Sequence, residues 1–176
     1  MWLAGVTCRA MSELEKLAEH LGRELLSRGE SLATAESCTG GWVAQTVTAI
    51  AGSSTWFERG FVTYSNAAKV DMLGVPLATL ERHGAVAEGT ARAMAQGALK
   101  HSRANWAVAI TGIAGPDGGT PDKPVGMVCF AWAQRDGGCE ALTCQFSGSR
   151  AEVREQAVRL ALSGTLKRVM AATLMA

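Results

Sequence analysis

Three short stretches of this sequence hold residue types that do chemistry when a fold brings them together. Glu36-Ser37-Cys38-Thr39-Gly40-Gly41 sets two nucleophiles just ahead of paired glycines. Glycines there let the backbone turn sharply, and the free N–H groups at a helix start favour negative charge. Such a turn can hold a phosphate, or present a nucleophile while stabilising the oxyanion of a tetrahedral intermediate. The same residues also suit a helix that needs only Ser and Thr as caps and glycine for a tight turn.

Cys38 is intrinsically the better nucleophile, but it must ionise, and no histidine lies in any of the three stretches to serve it. Ser37 needs a base more urgently. Lys69 supplies one in a Ser-Lys arrangement, provided burial or nearby positive charge holds it neutral. Tyr64, the single tyrosine, ends a predicted strand, and Lys69 falls in the first turn of the next element, so both can converge on one pocket. A half-buried strand aromatic and a solvated lysine are the plainer account of that pair. The third stretch, Gly112–Gly126, offers N–H groups from Gly112, Gly115, Gly118 and Gly119, with Lys123 nearby. It lacks P-loop spacing, so it wraps a phosphate or ribose by another geometry or is a long crossover. Arg150, beside the start of the last helix, is an anion clamp or a surface charge.

The elements that must position these residues follow from periodicity. Ser12 and Glu15 form a capping box, and Leu14, Leu17, Ala18, Leu21 and Leu25 recur at helical spacing until Gly29. A strand is predicted over 31–35, a helix over 42–51, a strand over 61–65 and a helical turn over 66–73. Pro76 breaks the chain, an alanine-rich helix fills 88–102, and 106–110 is a compact apolar strand. Residues 126–134 and 139–146 alternate as a hairpin across Arg135-Asp136-Gly137-Gly138. Ser149 and Glu152 cap a final helix running to about Met170. Helices interleaved with strands and one late hairpin give a three-layer α/β/α sandwich with a mixed, mostly parallel central sheet. All three chemical stretches follow predicted strands, where ligands gather in open α/β sheets.

At 176 residues the chain is one domain, read as a single unit over 11–176 behind an N-terminal extension of residues 1–10. Its 17 Lys+Arg against 16 Asp+Glu leave a net charge of +1, which speaks against a nucleic-acid or anionic-membrane partner. No apolar run approaches the roughly 18 residues of a membrane span. The 5 cysteines form an odd set without a CxxC pair, and the 3 histidines lack zinc-site spacing. A reduced, cytoplasmic, metal-free protein is expected, without a cofactor. The 5 tryptophans and an apolar helix surface suit a homodimer.

Longer motifs join these stretches. Ala35-Glu36-Ser37-Cys38-Thr39-Gly40-Gly41, Tyr64-Ser65-Asn66 with Lys69, Leu73-Gly74-Val75 and His83-Gly84-Ala85-Val86 resemble the CinA C-terminal family, as do Thr111-Gly112-Ile113-Ala114-Gly115-Pro116-Asp117-Gly118-Gly119 and Lys123-Pro124-Val125-Gly126. The likeness runs from about Met11 to the last helix. It implies metal-free hydrolysis of the carboxamide of nicotinamide mononucleotide to nicotinate mononucleotide and ammonia. It also implies catalysis by Ser37, Tyr64 and Lys69, with Ser37 attacking the amide carbon and Lys69 taking its proton. The N–H groups of the 38–41 turn would hold the oxyanion, and Tyr64 would relay or orient a proton; the last two side chains could exchange roles. Substrate contacts carried over are Thr111, Gly112, Ile113, Ala114, Gly115 and Arg150; Cys38, Thr39, Gly40, Gly41, Asn66 and Lys123 are expected to contact the substrate beside them. One departure is Ala87, where the family pattern has serine, which removes a helix-capping hydroxyl before Glu88. The alternatives are an amidase with Cys38 as nucleophile, and a non-catalytic nucleotide-binding or interaction module linked to competence and DNA damage.

Overall fold

The computed structural model describes residues 10–172. The 1–10 extension expected from the sequence therefore lies, but for Ala10, outside the described residues. Five strands form one sheet in the order β2-β1-β3-β4-β5: β1 (Leu32–Glu36), β2 (Phe57–Val62), β3 (Trp106–Gly112), β4 (Met127–Gln134) and β5 (Cys139–Gln145). β1 pairs in parallel with β2 and β3, and the β3–β4 and β4–β5 pairings are antiparallel. Only β4 therefore runs against the other strands, which is the mixed, mostly parallel sheet expected.

The strands sort their side chains by size. Leu32, Trp106, Val108, Ile110, Val128, Phe130 and Trp132 face one core, shared with α1 (Glu13–Ser27), α2 (Trp42–Thr48) and α6 (Arg150–Ala172). Ala33, Ala35, Ala107, Ala109, Ala131 and Ala133 face the other, against α3 (Asn66–Leu73), α4 (Leu77–His83) and α5 (Glu88–Lys100). Small residues on both sides bring α5 close to the sheet: its buried Ala91, Ala95 and Ala98 return at helical spacing. A methyl group at Gly97 would run into the Leu73 carbonyl oxygen, so α3 and α5 also touch backbone to backbone there.

Two elements differ from the sequence reading. β2 spans Phe57–Val62 rather than 61–65. It is an edge strand with only Phe61 buried, so its alternation is weak, and its parallel ladder to β1 decides its limits. α4 was not expected. Pro76 is its N-cap rather than a break, and it buries only Leu80, too little to show as periodicity. Trp56, Trp106 and Trp132 are buried, and Trp42 is half-buried.

Both predicted capping boxes form. Ser12 and Glu15 exchange bonds at α1, and Ser149 and Glu152 do so at α6. Ala87 is the N-cap of α5 in extended backbone, with no side-chain bond to the helix. Ala87→Ser should therefore stabilise the protein by about 1 kcal/mol, read as a raised denaturation midpoint with an unchanged slope.

Candidate active site

The carboxyl ends of β1, β2 and β3, three strands running the same way, converge on one cavity of about 270 Å³. Ser37 follows directly on β1, Tyr64 lies just past β2, and Thr111 and Gly112 end β3. With Cys38, Lys69, Ile113, Ala114, Gly115 and Arg150 they line the cavity.

Lys69 is not a solvated charge. It sits in α3, capped by Ser65, and only 1% of its surface is exposed. Its Nζ lies 3.1 Å from Ser37 Oγ and donates to the Thr63 carbonyl at 2.9 Å. Burial holds its pKa below the usual lysine range, because desolvation penalises the ammonium. None of its bonds is to a carboxylate, so nothing offsets that penalty by ion pairing. A buried amine of this kind can serve as a base for a hydroxyl beside it.

Cys38 is buried as well, and desolvation pushes its thiol up to about 12. At neutral pH it is a thiol without thiolate character, and it is its neighbour Ser37 that lies beside the Lys69 amine.

Tyr64 is 63% exposed, more than a half-buried strand aromatic would be. Its phenol oxygen accepts from Arg150 Nη2 at 3.0 Å, while Arg150 Nη1 donates to the Gly115 carbonyl at 2.8 Å. Arg150 thus ties Tyr64 to the Thr111–Gly115 segment across the cavity mouth.

The turn after β1 is built by Glu36, which the sequence reading left without a role. This fully buried carboxylate accepts from the N–H groups of Gly41, Val43 and Ala44 at 2.9–3.0 Å, filling the start of α2 with the chain's own anion. Gly40 and Gly41 take φ of 62° and 95°, left-handed values that favour glycine. The Gly40 N–H donates to the Ser37 carbonyl at 3.0 Å. Of the turn expected to stabilise an oxyanion, the Gly40 and Gly41 donors are thus already engaged. The N–H groups of Cys38 and Thr39 are the ones that no other described residue takes up.

Other expected contacts lie elsewhere. Thr39, Gly40, Gly41, Asn66 and Lys123 do not line the cavity. Thr39 is fully buried, Asn66 is exposed at the first turn of α3, and Lys123 Nζ donates to the His83 carbonyl at the end of α4. Conversely Ala85, Val86, Asp117 and Gly118 line it. All four lie inside motifs visible in the sequence. The Ala85 carbonyl is drawn in by Thr111 Oγ1 at 2.8 Å, which places the 84–87 loop against the end of β3. Arg154 was also missed; its Nε and Nη2 donate to the carbonyls of Cys38 and Thr39 at 3.0 and 2.8 Å. Its signal is positional, since Arg150 and Arg154 crowd the start of α6, where the helix dipole disfavours cations. Among the described residues no group of three or more His, Cys, Asp or Glu is placed to hold a metal ion, and no helix is long and apolar enough to cross a membrane.

Comparison with known protein families matches residues 14–169 to the one described as CinA C-terminal domain. The chain belongs to that family. Its CinA-type fold is shared with the crystal structure of the competence/damage-inducible protein CihA from Agrobacterium tumefaciens, at a TM-score of 0.88 and 46% identity over 92% of this chain and 98% of that one. Among curated relatives, the nicotinamide-nucleotide amidohydrolase PncC of Escherichia coli K12 is 59% identical over 86% of this chain and 92% of its own length. A putative competence-damage inducible protein of Symbiobacterium thermophilum is 54% identical over 86% of this chain and 38% of its own length. The CinA C-terminal domain thus occurs in relatives of about this size and within longer chains.

Proposed function

We propose that this protein hydrolyses the carboxamide of nicotinamide mononucleotide to nicotinate mononucleotide and ammonia, in the recycling of pyridine nucleotides. The observation that carries the reading is the buried pair: Lys69 Nζ stands 3.1 Å from Ser37 Oγ with a depressed pKa and no carboxylate partner. The PncC relatives, named for this reaction class and matched over most of their length, support the choice of substrate.

In this scheme Ser37 Oγ bonds to the amide carbon as its proton passes to Lys69 Nζ. The tetrahedral oxyanion takes a hydrogen bond from the turn behind Ser37, where Cys38 lines the cavity and no other described residue takes up its N–H. Collapse breaks the carbon–nitrogen bond, and the leaving nitrogen departs as ammonia with the proton that Lys69 took from Ser37, which returns Lys69 to the neutral amine. Because Arg150 donates to the Tyr64 oxygen, the phenolic proton stays available to pass on, which suits Tyr64 as the relay. Water then hydrolyses the Ser37 ester, with Lys69 again taking the proton. The pyridinium charge of the substrate disfavours an ammonium at Lys69, so binding helps prepare the base. Thr111, Gly112, Ile113, Ala114 and Gly115 line the cavity and bind the nucleotide with Arg150.

The scheme asks for no metal and no cofactor. Purified protein should therefore release ammonia from nicotinamide mononucleotide at an undiminished rate in excess chelator. A folded protein that releases none from this nucleotide overturns the reading.

A further inference from the structure

The mechanism leaves unanswered what holds the turn behind Ser37 still. A peptide unit is planar and trans, so the direction of a carbonyl fixes the opposite direction of the following N–H. The Cys38 N–H belongs to the unit whose carbonyl, on Ser37, is held by Gly40 N–H at 3.0 Å within the turn itself. The Thr39 N–H belongs to the unit whose carbonyl, on Cys38, has a partner far along the chain: Arg154 Nε at 3.0 Å. A second nitrogen of the same guanidinium holds the next carbonyl, on Thr39, at 2.8 Å.

The guanidinium is itself fixed. It lies 5.3 Å from the centroid of the Trp42 ring, at the start of α2, and its hydrogen bonds go to backbone carbonyls rather than to a carboxylate. An arginine held by two backbone carbonyls and a ring face, at a helix start that disfavours positive charge, spends its planar fork on geometry. A lysine reaching the same place would offer a point charge and could not span both carbonyls in a fixed plane.

We infer that Arg154 is a positioning residue for catalysis: by gripping the Cys38 and Thr39 carbonyls it fixes the turn that presents Ser37, and the Cys38 N–H beside it, to the substrate. The inference rests on the amidohydrolase reading above. Arg154 does not line the substrate cavity, so its loss acts on the rate of the chemical step rather than on substrate affinity.

The test compares wild type, Arg154→Met and Arg154→Lys by steady-state kinetics on nicotinamide mononucleotide, and by the rate at which phenylmethylsulfonyl fluoride labels Ser37. Arg154→Met should lower kcat by about tenfold or more with KM within about twofold, as for a loss of positioning felt mainly in the transition state. It should slow Ser37 labelling, with Arg154→Lys recovering part of both. A Met variant with wild-type kcat overturns the inference, and so does one whose KM rises while kcat holds. If Arg154→Met does not fold, the Lys variant decides alone: a lowered kcat at constant KM supports the role, and wild-type kcat overturns it. Should wild type itself release no ammonia, the functional reading fails separately. Labelling then decides for Arg154, slower in the variants if the turn depends on it and unchanged if it does not.

Discussion

Ser37→Ala should abolish ammonia release, lowering kcat by at least about 10³-fold, while the protein still folds and still binds nicotinamide mononucleotide. The size follows from removing a nucleophile whose intermediate splits one hard step into two easier ones; what survives is the contribution of binding and the oxyanion donors. The cost to stability is small by comparison. The serine hydroxyl has its bond to Lys69 to lose, a contribution of about 1 kcal/mol. A turn that used Ser37 only to shape the start of α2 would respond the other way, with lost stability and retained rate, but Glu36 already does that capping. Cys38→Ser, assayed beside it, should keep most of the activity, since a thiol held near 12 contributes no thiolate at neutral pH. Rapid quenching of wild type should also trap the nicotinoyl nucleotide as an ester on Ser37, seen as a mass increase on the peptide that carries it. Full rate in Ser37→Ala would end the serine-ester scheme.

Lys69 carries the second large effect, and it has a signature in pH. In the proposed scheme the working form is the neutral amine, and burial lowers the folded-state pKa below the ordinary 10.5. The rate should therefore rise with pH along a limb that lies below the usual lysine range, and Lys69→Ala should lose at least about 10³-fold without that limb. Stability gives an independent check with a definite sign. Between the lowered folded pKa and 10.5 the unfolded chain binds more protons than the folded one, so wild type gains stability as pH rises through that window. Below the folded pKa both states are protonated and the burial cost is felt in full. Lys69→Met has no such group. In denaturation measured across pH, wild type should gain on Lys69→Met through the window and the difference should level off on either side. A constant difference would mean that burial is not what depresses this lysine.

The layers and most elements were legible because they rest on local signals. The capping boxes at Ser12 and Ser149, the helical spacing of α1 and the hairpin between β4 and β5 all lie within a few residues of one another. α4 and the limits of β2 were not, because one buried residue each leaves no period to read. The same contrast runs through the candidate site. Ser37, Tyr64, Lys69 and the Thr111–Gly115 segment stand in motifs, and all line the cavity. Asn66, Gly40 and Gly41 stand in the same motifs and do not line it, since adjacency along a chain says little about which way a side chain or N–H faces. The burial of Lys69 was invisible locally. It depends on Ser37 and Thr63, which reach it from two other elements. Arg154 was harder still, because its partners are carbonyls more than a hundred positions away, which carry no residue identity.

The alanine face of the sheet reaches further than packing. α5 rests on Ala107, Ala109, Ala131 and Ala133, and the 84–87 loop that leads into it forms one wall of the cavity through Ala85 and Val86. The gap between helix layer and sheet is therefore also a gauge for the width of the cleft. A single added methylene beneath α5 would lift that wall, and substrates of different girth could be accommodated without altering any residue that touches them.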